Sequence, residues 1–237
     1  MADITLKNLG KIYPNGFVSV KDVSLKIKDK ELVTFYGPHG CGKSTILRMI
    51  GGLESITSGE IWLDDELLSN IPPRDRPLAM AFQNYKLYKE LNVHENIALG
   101  LKLRKLPRPE IEFRVKKAAV FLGISELMSK KVRKLSEIDR QRVALGRALV
   151  CHPKVFLIDE DFSRQNEMLR VQMLSDLRRM HEELDMTILY VTNNYEEAVK
   201  YGTTIVLMKD GEITDIRDKA NLTDYQKISP VDADGNI

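Results

Sequence analysis

The feature that most constrains this chain is the run Gly37-Pro38-His39-Gly40-Cys41-Gly42-Lys43-Ser44-Thr45. It matches the phosphate-loop pattern G-x-x-x-x-G-K-[ST] without a mismatch. Glu31 to Tyr36 reads as a strand running into it. Thr45 to Gly51 comes next with helical spacing, its apolar set being Ile46, Leu47, Met49 and Ile50. Strand, glycine loop and helix in that order is the context the pattern requires. The glycines let successive backbone N–H groups converge on phosphate oxygens, and the helix presents its positive N-terminal end to the same anion. Lys43 supplies a point charge to the outer phosphates, and the Ser44 hydroxyl is placed to ligate Mg²⁺. Cys41 is read as a small residue that fits, although thiols near helix N-termini tend to ionise more readily.

Around this loop the chain alternates strands and helices. Ile4 to Lys7, Val18 to Val20 and Val23 to Ile27 read as early strands, with Pro14-Asn15-Gly16 as a turn. Strand signals return at Glu60 to Leu63, Leu78 to Phe82, Lys154 to Asp159 and Thr187 to Thr192. Thr204 to Met208 and Glu212 to Ile216 close a hairpin around Asp210-Gly211. From Val93 to Val150 the pattern is mostly helical, clearest at Glu110 to Phe121 and Asp139 to Leu149. Glu167 to Glu183 reads as a long charged helix and Glu196 to Lys200 as a helical turn. The expectation is an α/β phosphate-loop NTPase core with a mixed sheet, an antiparallel N-terminal β subdomain and an inserted all-helical subdomain near residues 88–152. The nucleotide-binding unit then spans residues 1–217, and residues 218–237 form a polar tail.

The bulk properties exclude several alternatives. With 237 residues the chain can bury a sizeable core. Its 36 basic and 34 acidic residues nearly cancel, so charge gives no case for nucleic-acid binding. Two cysteines, Cys41 and Cys151, are too few for a disulfide framework. No apolar run approaches the roughly 18–20 residues that span a bilayer. The start at Met1-Ala2-Asp3-Ile4 lacks the pattern of a signal peptide. A cytoplasmic protein that reaches a membrane only through a partner is expected.

A second nucleotide element is Val155-Phe156-Leu157-Ile158-Asp159-Glu160. Four apolar residues deliver Asp159 to a strand end, where it is placed to hold Mg²⁺, and Glu160 beside it to polarise an attacking water. Downstream of a phosphate loop this pattern is specific. Together, these residues resemble the ATP-binding subunits of ABC transporters, over about residues 3 to 217. The resemblance implies that Tyr13, within Lys11 to Gly16, stacks on adenine, a contact of about 1–3 kcal/mol. Ala81-Phe82-Gln83-Asn84-Tyr85-Lys86-Leu87-Tyr88 is similar to the glutamine loop. There Gln83 contacts Mg²⁺ and the attacking water, and the loop senses a transmembrane partner. Arg140 to Leu149 resembles the helix after the family's signature. Ile71 to Arg76, Gln83 to Tyr88 and Leu169 to Met173 point to importers of sugars, glycerol phosphate and polyamines. Such relatives usually carry a C-terminal regulatory lobe, so a chain ending at Ile237 either lacks it or has it cut off.

Three elements depart from the family pattern. The signature L-S-G-G-Q reads Leu135-Ser136-Glu137-Ile138-Asp139. In the family this helix N-terminus caps the γ-phosphate held by the opposite subunit. Ser136 is kept, but Glu137 and Asp139 set carboxylates where a triphosphate docks. At ~5 Å and an effective dielectric of 20–80, each repels a unit phosphate charge by about 1–3 kcal/mol. The loop P-L-S-N-L-D reads Asp161-Phe162-Ser163-Arg164-Gln165-Asn166, and the switch T-H-D reads Thr192-Asn193-Asn194. Asn193 can hydrogen-bond a γ-phosphate but cannot carry the charge or move the proton of a histidine. His152 and His181 are read as surface residues and not as substitutes.

Residues a subunit uses on its own nucleotide (Tyr13, Lys43, Ser44, Gln83, Asp159, Glu160) are therefore retained, while those lent to a partner, and the switch residue Asn193, are altered. Two readings are compatible with this division. One is a transport motor in which two subunits sandwich two ATP molecules beneath transmembrane permease subunits, with slowed hydrolysis. The other is a module that binds ATP without turnover, as a regulatory subunit or the degenerate half of a heterodimer. A soluble member of the family acting on nucleic acid is disfavoured by the charge balance. The transported solute is not encoded in this chain.

Overall fold

The computed structural model describes residues 2–82, 87–159 and 167–221. Its centre is a six-stranded sheet in the order β10-β9-β3-β8-β7-β6. The members are β3 (Leu32–Tyr36), β6 (Leu78–Phe82), β7 (Val155–Asp159), β8 (Thr187–Thr192), β9 (Thr204–Lys209) and β10 (Glu212–Asp218). All neighbours pair in parallel except the closing β9–β10 hairpin. Central parallel strands buried on both faces read as unbroken apolar runs. This is why β7 and β8 are buried at every position.

A second, antiparallel sheet has the order β2-β1-β4-β5, built from β1 (Ile4–Ile12), β2 (Val18–Ile27), β4 (Ser58–Leu63) and β5 (Glu66–Leu67). The antiparallel part is thus not confined to the N-terminus, as the sequence suggested. After the phosphate-loop helix, the chain returns to pair β4 with the outer edge of β1. The two early strand segments are also one strand, β2, with register shifts against β1 that absorb the break in alternation.

Between the two sheets lies α1 (Lys43–Ile50). Its Ile46, Leu47, Met49 and Ile50 are fully buried. They share one core with Leu6, Val20 and Ile61 of the antiparallel sheet and with Val155, Leu157 and Leu189 of the central one. Burying each such side chain stabilises the fold by about 1.5–3 kcal/mol. The opposite face of the central sheet presents the alternate residues, Phe156, Ile158, Ile188 and Tyr190, to a second core. That core takes in α2 (Val93–Leu103), α3 (Arg108–Phe121), α4 (Glu137–Leu149) and α5 (Glu167–Leu184). Helices α2 to α4 all lie between β6 and β7 in the chain, as expected of the insertion. The helical turn at Glu196 to Lys200 is part of a longer helix, α6 (Tyr195–Tyr201). Strand β10 runs through Asp218, one residue into the stretch assigned to a polar tail.

The entry to the helices is pinned by Asn96, which is completely buried. Its carbonyl accepts from Tyr88 N at 2.9 Å, and its amide donates to Tyr88 O at 3.1 Å and Asn92 O at 2.9 Å. Asn92 in turn caps α2 in a reciprocal capping box with Glu95. Replacing Asn96 with Ala removes all three hydrogen bonds from a fully buried position and leaves the Tyr88 N–H without its partner, at a cost of about 2 kcal/mol. Urea unfolding checks this against Leu103→Ala, which is exposed and is expected to change stability by less than about 0.5 kcal/mol.

Candidate functional site

Parallel strands deliver their C-terminal ends to one edge of the central sheet, and ligands of open α/β sheets bind at that edge. Here three neighbouring strands end in chemistry. The phosphate loop follows β3, Asp159 ends β7, and Asn193 follows β8. Tyr36 is level with Thr192 across the β3–β8 ladder, so the loop and the switch segment leave the sheet side by side. Together they line a cavity of about 540 Å³ with Tyr13, Phe17, Ser19, His39, Ser44 and Arg48. A larger cleft of about 750 Å³ lies between β2 and β10 and shares none of these residues. Its walls mix Lys26, Glu31, Asp215 and Arg217 and contain no run of converging backbone donors, so the chemistry assigns the site to the smaller cavity.

The loop conformation depends on two glycines for different reasons. Gly40 has φ +81° with no heavy atom within 4 Å of where a Cβ would stand, so only its backbone angle calls for glycine. Gly42 has φ +100° and caps α1, and a Cβ there would meet Ser19 O at 2.5 Å. Gly37 packs so closely on the carbonyl of Met208 that a Cβ would overlap it. Lys43 is nearly buried, and its ammonium donates to Gly37 O at 2.8 Å and Pro38 O at 2.7 Å. These carbonyls hold the cation in the cavity wall, where charge is screened less than in solvent. Cys41 is also buried, its Sγ 3.5 Å from the same ammonium. Packing against the loop, and not exposed reactivity, describes this thiol. Pro38, His39 and Gly40 are exposed, whereas Ser44 and Thr45 are half-buried. Thr45 is tied to β2 by a 2.9 Å hydroxyl pair with Ser19.

At the other end of the cavity, the Pro14–Gly16 turn holds Tyr13 beside Phe17, with ring centroids 6.3 Å apart and planes 24° from parallel. Lys11 sits 5.0 Å from the Tyr13 ring centre and is ion-paired to Glu54 at 2.6 Å. The Lys11 hydrogen bond holds the Glu54 carboxyl below the usual carboxylate range, against a smaller opposing effect of burial. Tyr13 thus presents an aromatic surface on a fixed support.

Asp159 is almost fully shielded and accepts from Arg48 Nε at 2.9 Å. Among the described residues no cluster of three or more His, Cys, Asp or Glu could form a protein cage for a metal. A Mg²⁺ held by one carboxylate, a hydroxyl and the phosphates of its ligand needs no such cage, so Ser44 and Asp159 suit that ion. Thr192-Asn193-Asn194 is anchored from beneath by buried Glu197, which accepts from Thr192 Oγ1 at 2.9 Å and Tyr190 Oη at 3.0 Å. Asn194 caps α6 by accepting from Glu197 N.

Ser136, Glu137 and Asp139 do not line the cavity. Ser136 caps α4, accepting from Asp139 N at 3.2 Å and donating to Asp139 Oδ2 at 2.7 Å. The Asp139 carboxylate is folded back onto the helix N-terminus, where the dipole favours it. Gln83, Glu160 and Asn166 lie outside the described residues. His152 is exposed, and His181 is half-buried with Nδ1 3.1 Å from Met186 O, so neither reaches the cavity.

Sequence reasoning missed several supports. Gly211, seen only as a hairpin turn, donates its N–H to Cys41 O at 3.2 Å and so braces the loop. Arg48 gave no signal beyond a charge on a short helix, yet it faces Asp159. Ser19 looked like an ordinary strand residue.

Residues 20–163 match the family described as ABC transporter. The oligosaccharides import ATP-binding protein MsmX of Bacillus subtilis is 47% identical over 216 residues, which cover 91% of this chain and 59% of that protein. The sn-glycerol-3-phosphate import ATP-binding protein UgpC of Roseobacter denitrificans is 44% identical over 90% of this chain and 60% of its own length. The chain therefore spans about three-fifths of the curated relatives it matches. Among solved structures, cbiO1 of Clostridium perfringens, part of the ABC transporter complex cbiONQ, superposes with a TM-score of 0.85 at 25% identity. That match covers 95% of this chain and 92% of the other. The dimeric structure of MJ0796, a bacterial ABC transporter cassette, gives 0.77 at 28% identity, over 92% of this chain and all of the other.

The two loop glycines make a graded prediction. Gly40→Ala has only the left-handed backbone to accommodate and should lose about 1–2 kcal/mol. Gly42→Ala adds a collision with the Ser19 carbonyl and should lose more, as read from urea midpoints of the two variants. Equal losses would contradict the distinction.

Proposed function

Since this chain belongs to the ABC transporter family, we propose that it is the ATP-binding subunit of an importer, coupling ATP binding to the movement of a solute through permease subunits. The observation that carries this reading is the cavity at the strand ends, where a folded phosphate loop faces Asp159, with an aromatic support at the far side. In this reading residues 1–217 form the nucleotide-binding unit, with residues 88–152 as its helical subdomain. Tyr13 stacks on adenine, and the amides of residues 40–45 and Lys43 bind the phosphates. Ser44, Gln83 and Asp159 hold Mg²⁺, which when bound supplies positive charge to the outer phosphates. Glu160 and Gln83 orient water. A Mg²⁺ at Asp159 would share that carboxylate with Arg48, which pairs with it at 2.9 Å. The permease places the subunit on the inner face of the cell membrane; among the described residues no helix is long and apolar enough to cross a bilayer. Import as the direction is supported by the import functions for which MsmX and UgpC are named.

Hydrolysis in this reading is slow. The Ser136 hydroxyl, which a partner's phosphate needs, is already bonded to Asp139. That contact also favours a second reading, in which the subunit binds ATP without turning it over and is paired with a more active partner. Isolated chain in MgATP should hydrolyse well below about 1 s⁻¹, the lower end of common enzyme turnover. Glu137→Gly, Ile138→Gly, Asp139→Gln and Asn193→His combined should raise the rate at least about tenfold. A coupled phosphate-release assay checks both. Fast turnover by the unaltered chain would overturn the slowed-site reading, and no gain in the combined variant would move the cause to the need for a partner.

A further inference from the structure

The His39 imidazole and the Asn193 amide meet across the β3–β8 edge of the cavity. Asn193 Nδ2 lies 3.3 Å from His39 Nδ1 and 3.3 Å from Nε2. An amide equidistant from both ring nitrogens cannot lie in the ring plane, because Cε1 occupies that position. It must sit over the ring face. A hydrogen bond to imidazole runs in the ring plane, so this contact engages neither nitrogen. Among the described residues no other group bonds the ring, which is exposed on the cavity lining. Beneath it, Asn193 Oδ1 is buried without a hydrogen-bond partner among the described residues. An orphaned buried polar atom beside an open ring marks a place where a ligand completes the hydrogen bonding. With the amide's oxygen and nitrogen exchanged, the orphaned atom is an N–H donor, the kind of group that a phosphate oxygen satisfies.

The position along the cavity identifies the ligand group. Tyr13 and Phe17 mark the base end, and Asp159 and Asn193 the metal end. A Mg²⁺ held by Ser44 and Asp159 would neutralise charge on the outer phosphates, which would set the terminal phosphate at this end. His39 lines that end from a position the phosphate-loop pattern leaves unrestricted, whereas Arg48, the other basic side chain there outside the pattern's fixed residues, is already paired with Asp159 at 2.9 Å.

We propose that His39 distinguishes a bound nucleoside triphosphate from the diphosphate by donating an in-plane N–H to the terminal phosphate, with Asn193 as the platform that holds its ring. The imidazole absent from position 193 is thereby supplied from the adjacent strand end. This rests on the nucleotide reading of the cavity.

Isothermal titration of the full chain with MgATP and with MgADP tests it, using His39→Ser, Asn193→His and the double variant. His39→Ser should weaken ATP about tenfold or more, the scale of one hydrogen bond to a charged group, and ADP less than about twofold. The double variant returns an imidazole to the terminal phosphate from position 193 and should regain ATP affinity to within about threefold of the parent, a non-additivity expected of groups sharing one contact. His39→Ser binding ATP as the parent does, or losing ATP and ADP equally, overturns the proposal while leaving the nucleotide site intact. Failure of the double variant to regain ATP affinity also overturns it. A folded parent chain that binds neither nucleotide overturns both the proposal and the reading beneath it.

Discussion

The burial of α1 between two sheets constrains nearly every other part of the nucleotide site. A helix buried on two sides, with Ile46, Leu47, Met49 and Ile50 in one core, cannot shift along its axis without disturbing both sheets. Its N-terminus is therefore fixed over the end of β3. The loop joining them must turn through left-handed angles at Gly40 and Gly42. The antiparallel sheet that closes over α1 also supplies Ser19, whose carbonyl limits position 42 and whose hydroxyl holds Thr45. The loop's glycine geometry is here a by-product of core packing.

The same sheet edge brings Asp159 and the switch segment to the loop, but it does not reach the start of α4. Two classes of residue result. Those on β3, α1 and β7 are held by the cores and keep the phosphate-loop and strand-end carboxylate pattern, while the segment after β8 carries Asn193 in the altered switch. Those at Ser136–Asp139 stand at a helix end and are satisfied locally, Asp139 bonding Ser136 and the dipole. Local stability at that end is thus gained by a carboxylate that, in the proposed reading, repels an incoming phosphate. Binding in cis and docking in trans are physically separable, and the proposed reading of this chain rests on that separation.

Much of this was legible in the sequence, for a specific reason. Val155 to Asp159 and Thr187 to Thr192 are apolar runs of strand length, and the G-x-x-x-x-G-K-[ST] loop fixes its own flanking elements, so the parallel core and the edge that carries the candidate site could be read directly. The return of β4 to pair with β1 could not, because pairing between segments separated by a loop and a helix leaves no local pattern. Arg48 facing Asp159 and His39 facing Asn193 were hidden similarly. Each contact joins residues more than a hundred positions apart, and only the packing of α1 on β7 and the pairing of β3 with β8 bring them together. Gly211 was legible as a turn and illegible as the brace of Cys41.

The central claim is that this chain binds nucleotide through its own residues while its partner-facing surface resists closing on a second copy. Sedimentation velocity of the Glu160→Gln variant, which suppresses hydrolysis, at saturating MgATP tests that claim most directly. The account predicts occupied protein that remains monomeric. A stable ATP-dependent homodimer would contradict it.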